Sequence, residues 1–160
     1  SNTVNSVFSF TSDNVRPTIS ITSNTVTNGD FVNNAVELTF TLNKPPINLI
    51  TSDVTVVGGT ISTLNGSGVN YTTTFTPNIQ GNCSISVLEG KFIDAVGNIN
   101  TASNVFQINH DNIPPTINIT STTNSSGELI DFYYYSPETN PVVLNFTLSK
   151  PLSSFTASIG

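Results

Sequence analysis

Val36-Glu37-Leu38-Thr39-Phe40-Thr41-Leu42-Asn43 alternates apolar and polar residues without a break. Successive side chains on a strand point to opposite faces, so this stretch predicts a ribbon with one dry face and one wet face. Lys44-Pro45-Pro46 ends it, because proline has no amide hydrogen to give to a neighbouring strand. The same alternation runs outward along the chain. Tyr71, Thr73 and Phe75 alternate with Asn70, Thr72, Thr74 and Thr76; Cys83, Ile85 and Val87 alternate with Asn82, Ser84 and Ser86; Phe106 and Ile108 alternate with Gln107 and Asn109. One-sided strands bury their apolar faces by packing two sheets together. Turn signals divide the chain at Asn28-Gly29-Asp30, Gly58-Gly59, Asn65-Gly66-Ser67-Gly68, Pro77 to Gly81 and Gly90 to Asn98. The strands between them are predicted at about 17–23, 35–43, 47–57 and 60–64, followed by the three alternating stretches after Gly68. That gives seven strands between residues 17 and 110, at the spacing of a Greek-key β-sandwich. No stretch carries the period of a long helix.

The chain also repeats itself. Asp13-Asn14-Val15-Arg16-Pro17-Thr18-Ile19-Ser20-Ile21 returns as Asp111-Asn112-Ile113-Pro114-Pro115-Thr116-Ile117-Asn118-Ile119. The preceding Asn2-Thr3-Val4 to Phe8 corresponds at the same offset to Asn100-Thr101-Ala102 to Phe106. Leu38-Thr39-Phe40-Thr41-Leu42-Asn43-Lys44-Pro45 returns as Leu144-Asn145-Phe146-Thr147-Leu148-Ser149-Lys150-Pro151, with extra residues between the two blocks of the second copy. A fixed period of this kind decides architecture before any single residue does. Residues 1–12 therefore read as the last strand of a preceding repeat, 13–110 as a complete repeat, and 111–160 as the first part of a following one. The chain opens on Ser and contains no Met, which reads as a processing or fragment boundary.

Composition narrows the function classes. Charged residues make up 9% of the chain and the net charge is −6, so a nucleic-acid or anionic-membrane partner is not expected. No apolar run approaches the length of a membrane span. The one cysteine, Cys83, excludes a disulfide within this chain and reads as a small buried apolar side chain. No Ser–His pair, phosphate-cradling loop or His/Cys cluster is evident, so an enzyme is not expected. Asn-x-Ser/Thr acceptors stand at Asn65, Asn70, Asn82, Asn118, Asn124 and Asn145, about what chance gives in a chain so rich in these residues.

The linker Asp-Asn-x-x-Pro-Thr-Ile, the step Gly58-Gly59-Thr60-Ile61, Phe75-Thr76-Pro77 and Glu89-Gly90-Lys91-Phe92-Ile93-Asp94-Ala95-Val96-Gly97-Asn98 together resemble the bacterial immunoglobulin-like repeats of large surface adhesins and other extracellular fibres. The resemblance runs from Asn2 to about Lys150. It implies immunoglobulin-like sandwiches in tandem, an extracellular or cell-surface location, and a role as spacer or adhesive stalk. Implied partners are neighbouring repeats, with a cell-surface glycan or protein at a distal region. The chain departs from the family at Lys44 and Lys150, where an acidic residue is common.

Calcium at the inter-repeat linkers is the sharpest chemical expectation. The loop before the last strand should return to the end where the domain begins, bringing Asp94 and Asn98 near Asp13 and Asn14. Asp111 and Asn112 would take the linker role for the next repeat, opposite Asp30 and Asn78 at the far end of this one. Calcium takes six to eight oxygen ligands, which carboxylates, amides and carbonyls could supply. The plainer reading of Asp94 to Asn98 is a turn, with the Asp carboxylate bonding backbone amides and Gly97 at positive φ. Lys44 and Lys150, at strand ends beside prolines, read as solvated rather than as partners in a Lys–Asn cross-link. Phe132-Tyr133-Tyr134-Tyr135 reads either as an edge strand or as an exposed patch for a glycan or protein, with Tyr133, Tyr134 and Tyr135 as its contacts.

Overall fold

The computed structural model describes residues 9–121, 144–151, 154 and 156. The chain divides into two units, Ser1–Asn112 and Ile113–Gly160.

Among the described residues of the first unit, nine strands form two sheets. One holds β1 (Ile19–Thr22), β3 (Val36–Leu42), β7 (Asn70–Pro77) and β5 (Gly59–Ile61) in that order, with β6 (Asn65–Ser67) also paired to β7. The other runs β2 (Phe31–Val32), β9 (Phe106–His110), β8 (Gly81–Val87) and β4 (Val54–Val57). All pairs are antiparallel except β2 with β9, which is parallel. The alternation of β3 becomes alternation of burial: Val36, Leu38, Phe40 and Leu42 are buried, while Glu37 and Thr41 face outward. Ile19 and Ile21 from β1 and Phe75 from β7 join them, packed with Val54, Cys83, Ile85, Val87, Phe106 and Ile108 from the opposite sheet and with Phe92 from the loop after β8. The fold is an all-β, immunoglobulin-like sandwich.

Consecutive strands close both flanks of the sandwich. β4 and β5 lie in different sheets, and the chain crosses between them at Gly58-Gly59. Gly58 holds a φ of 81°, where a side chain is strained. A Cβ on Gly59 would lie 2.5 Å from the ring of Phe75. At the other flank β1 and β2 likewise belong to opposite sheets.

Three features differ from the sequence expectation. The long third strand is absent: Asn48 turns to a φ of 64° and Thr51–Asp53 forms a 3-10 turn, leaving only β4 as strand. Asn65, Gly66 and Ser67 are strand rather than turn, and since Ser67 pairs with Asn70 the reversal falls at Gly68-Val69. β2 has no counterpart in the sequence reading, because two residues carry no period.

In the second unit, β10 (Ile117–Ser121) pairs antiparallel with β11 (Leu144–Leu148). Ile117 faces Leu148 and Ile119 faces Phe146, as Ile19 faces Leu42 and Ile21 faces Phe40 in the first unit. The sequence repeat is therefore also a repeat of register.

Candidate functional site

The end of the first unit where the chain enters holds a cluster of polar and charged side chains. β3 stops at Leu42, and the next two residues reach the entry segment that leads into β1. The Asn43 side chain accepts the Thr18 amide at 2.7 Å. Lys44 then projects its ammonium onto Asp13, donating to both carboxylate oxygens at 2.9 and 2.7 Å. The same ammonium donates to the Val15 carbonyl and, at 3.0 Å, to Asp94 Oδ2.

Asp94 belongs to the loop between β8 and β9. Its Oδ1 accepts the amides of Val96 and Asn98 at 3.1 and 2.9 Å, and Gly97 takes a φ of 95° to close the turn. Its Oδ2 meets Lys44 and the Asn98 side-chain amide, each at 3.0 Å. One oxygen thus builds the turn while the other holds a cation. Asn98 reaches back to the Asp13 and Val15 carbonyls at 2.9 and 3.3 Å. A cleft of about 270 Å³ adjoins the cluster, lined by Asp13, Lys44, Pro45, Asp94, Ala95 and Val96.

A second anchor lies beside the first. Arg16 donates to the carbonyls of Ile99 and Asn100 at 3.0 and 2.7 Å and pairs with Glu89 at 2.7 Å. Asn100, with no solvent exposure, accepts the amides of Lys91 and Phe92 and donates to the carbonyls of Leu88 and Thr101. Asn104 grips both backbone groups of Ile21, at 2.8 and 2.9 Å, and so occupies the outer edge of β1. Edge strands left bare invite pairing with other chains, and this amide covers one.

The electrostatics follow from the geometry. Burial works to raise the Asp94 carboxyl, but the bonds from Asn98, Lys44 and the two turn amides outweigh it and hold the group far below its ordinary range. The Lys44 hydrogen bond and the Val15 amide lower the Asp13 carboxyl. Its pairing with Asp13, then Asp94, raises the Lys44 amine despite partial desolvation. All three groups are therefore charged at neutral pH.

The structure brings together Asp13, Asp94 and Asn98 among the expected metal ligands. Among the described residues, the Asn14 side chain meets the Ser12 hydroxyl, whose hydrogen bond it accepts at 3.3 Å, and none of the other expected ligands. At the far end, Asp30 closes its own turn by accepting the Thr27 amide at 2.7 Å. Asp111 accepts the Gln80 side-chain amide at 3.4 Å, and the Asn112 amide donates to Gln80 at 3.1 Å. Among the described residues no three His, Cys, Asp or Glu side chains gather where they could hold a metal ion. Tyr133, Tyr134 and Tyr135 lie outside the described residues.

The expectation of a solvated Lys44 is corrected. Its side chain is 21% exposed and sits between two carboxylates. The sequence held one signal for this, the recurrence of Lys-Pro at the same strand end in both copies. Nothing in the sequence marked Arg16, Asn100 or Asn104. Cys83 is buried as expected; its Sγ donates to the Gly58 carbonyl at 3.3 Å, and burial raises its thiol.

A sandwich of this topology, with its polar cluster serving to pin the entry segment, is a structural immunoglobulin-like module. The profile of the family described as "Bacterial Ig-like domain" matches residues 13–110, and the chain belongs to that family. No curated protein and no solved structure matches the chain.

Proposed function

We propose that this module is a spacer in an extracellular tandem array, setting the length and direction of a stalk that presents a distal binding region. The observation that carries this is the shared register of the two units, Ile19 with Leu42 and Ile117 with Leu148, each preceded by the same Asp-Asn-x-x-Pro linker. Proline fixes its own φ and restricts the residue before it, so such linkers keep successive domains apart. Arg16 and Asn98 hold the linker to the domain that follows it.

Small-angle scattering and calorimetry on a protein of two complete repeats, with calcium and then with chelator, test the reading. A rod of roughly constant length supports it. A particle that folds back on itself in both conditions overturns it. The same experiment reads the calcium expected at the linkers: a melting temperature and length that both rise with calcium would make the ion a stiffener, and no change would leave stiffness to the prolines and the packing between domains.

A second reading is a filament subunit completed by strand addition. It is favoured by the apolar face of β10 and β11, where Ile117 and Ile119 are 44% and 55% exposed while Ile19 and Ile21 are 5% and 1%. Light scattering across a range of concentrations decides it, since a filament subunit grows and a spacer does not. For a glycan-binding role, the contacts to test are Tyr133, Tyr134 and Tyr135.

A further inference from the structure

We propose that Lys44 is the built-in cation of a lock on the domain's entry segment, and that the lock recurs once per repeat, with Lys150 in the second copy. An ammonium has three hydrogens to donate. Here it faces both Asp13 oxygens, the Val15 carbonyl and Asp94 Oδ2, four protein oxygens around its three hydrogens. Two carboxylates and a carbonyl converging on one point are also what a hard divalent ion would seek. The ammonium occupies that point, and its tether keeps its local concentration high against any dissolved competitor.

One lysine so placed could be an accident of a single domain. The second unit argues otherwise. Lys150 Nζ donates to the Ile113 carbonyl at 2.7 Å, and these residues correspond to Lys44 and Val15. The neighbouring bonds repeat as well: Thr116 N donates to Ser149 Oγ at 2.8 Å, as Thr18 N does to Asn43 Oδ1 at 2.7 Å. Ser149 N donates to the Thr116 carbonyl, as Asn43 N does to that of Thr18. The lysine therefore belongs to the repeat and not to one copy of it. The direction in which the chain enters each domain is then set by a tethered charge, independent of free calcium.

Amide hydrogen exchange read by NMR on the full chain tests this. The reporter is the Val15 amide, which donates to Asp13 Oδ1 at 3.0 Å. In the wild type its protection is expected to be equal in calcium and in chelator. In Lys44→Met it should exchange at least tenfold faster, with the amides of Phe40 and Ile85 unchanged as the sign of an intact core. If Lys44→Met does not fold, Asp13→Asn serves instead: asparagine keeps the acceptor for Val15 and removes only the charge, so faster exchange there reports the ammonium. Unchanged exchange in the variant that folds, or wild-type protection that requires calcium, overturns the proposal. The lock is read within one domain and the spacer role from the length of two, so either can fail alone.

Discussion

Lys44 and Asp94 tie the stability of the domain to pH at both ends of the scale. Asp94 is held below its ordinary value of 3.8, so its contribution is whole above that value and is lost as pH falls through the lower, folded one. Lys44 is held above 10.5, so its contribution is present below that value and is lost as pH rises through the folded one. The melting temperature should therefore be flat with respect to this pair between roughly pH 5 and pH 10, and fall on either side. Lys44→Met should remove its share of the alkaline limb and make the acid limb shallower, which calorimetry across pH would show. Asn100 makes a separate prediction. Asn100→Ala leaves the buried Phe92 amide and the partly buried Lys91 amide without their acceptor, at about 1–3 kcal/mol for the buried group and less for the other, measurable by urea unfolding. At this scale the sequence was only partly legible. The Asp94 turn could be read because Asp, Gly and Asn are local and each has its own turn chemistry. For Lys44 the recurring Lys-Pro marked the position but not its partners, which are brought to it by the pairing of β1 with β3 and by a loop fifty residues away. Asn100 looks like any surface asparagine until its neighbours are placed.

Strands that bury one face announced themselves: β3, β7, β8 and β9 all follow the period of two. Elements defined by where the chain crosses between sheets did not. The third predicted strand failed where Asn48 and the Asp53 carboxylate, which accepts the Ile50 amide at 3.0 Å, form a turn inside an apolar run. β2 escaped notice because its pairing with β9 is a property of the assembled sandwich. Gly58-Gly59 was read as a break, and the structure shows the more specific reason for two glycines. Gly59→Ala presses a methyl group into the Phe75 ring and the Thr76 carbonyl, and should cost on the order of 1–3 kcal/mol. Loss of the midpoint denaturant concentration without a change in slope would identify strain in an otherwise native fold.

For the molecule as a whole, equivalent residues now stand in unequal surroundings. Phe40 has no exposure, and Phe40→Ala should cost about 3–5 kcal/mol. Its counterpart Phe146 is 38% exposed, and Phe146→Ala should cost about 1 kcal/mol or less. Chemical denaturation of the two variants compares them directly, and equal losses would mean that the β10–β11 face is covered in solution. The parallel pairing of β2 with β9 has a mechanical side. Gly29 N bonds the Gln107 carbonyl, Asn109 N the Asp30 carbonyl, and Asp111 N the Val32 carbonyl, each at 2.8 Å. In the proposed stalk, tension would pull β9 from its outgoing end and reach β2 from the entering side. Two parallel strands loaded in this way slide lengthwise past each other, so the three bonds must rupture together instead of opening one by one like a zip.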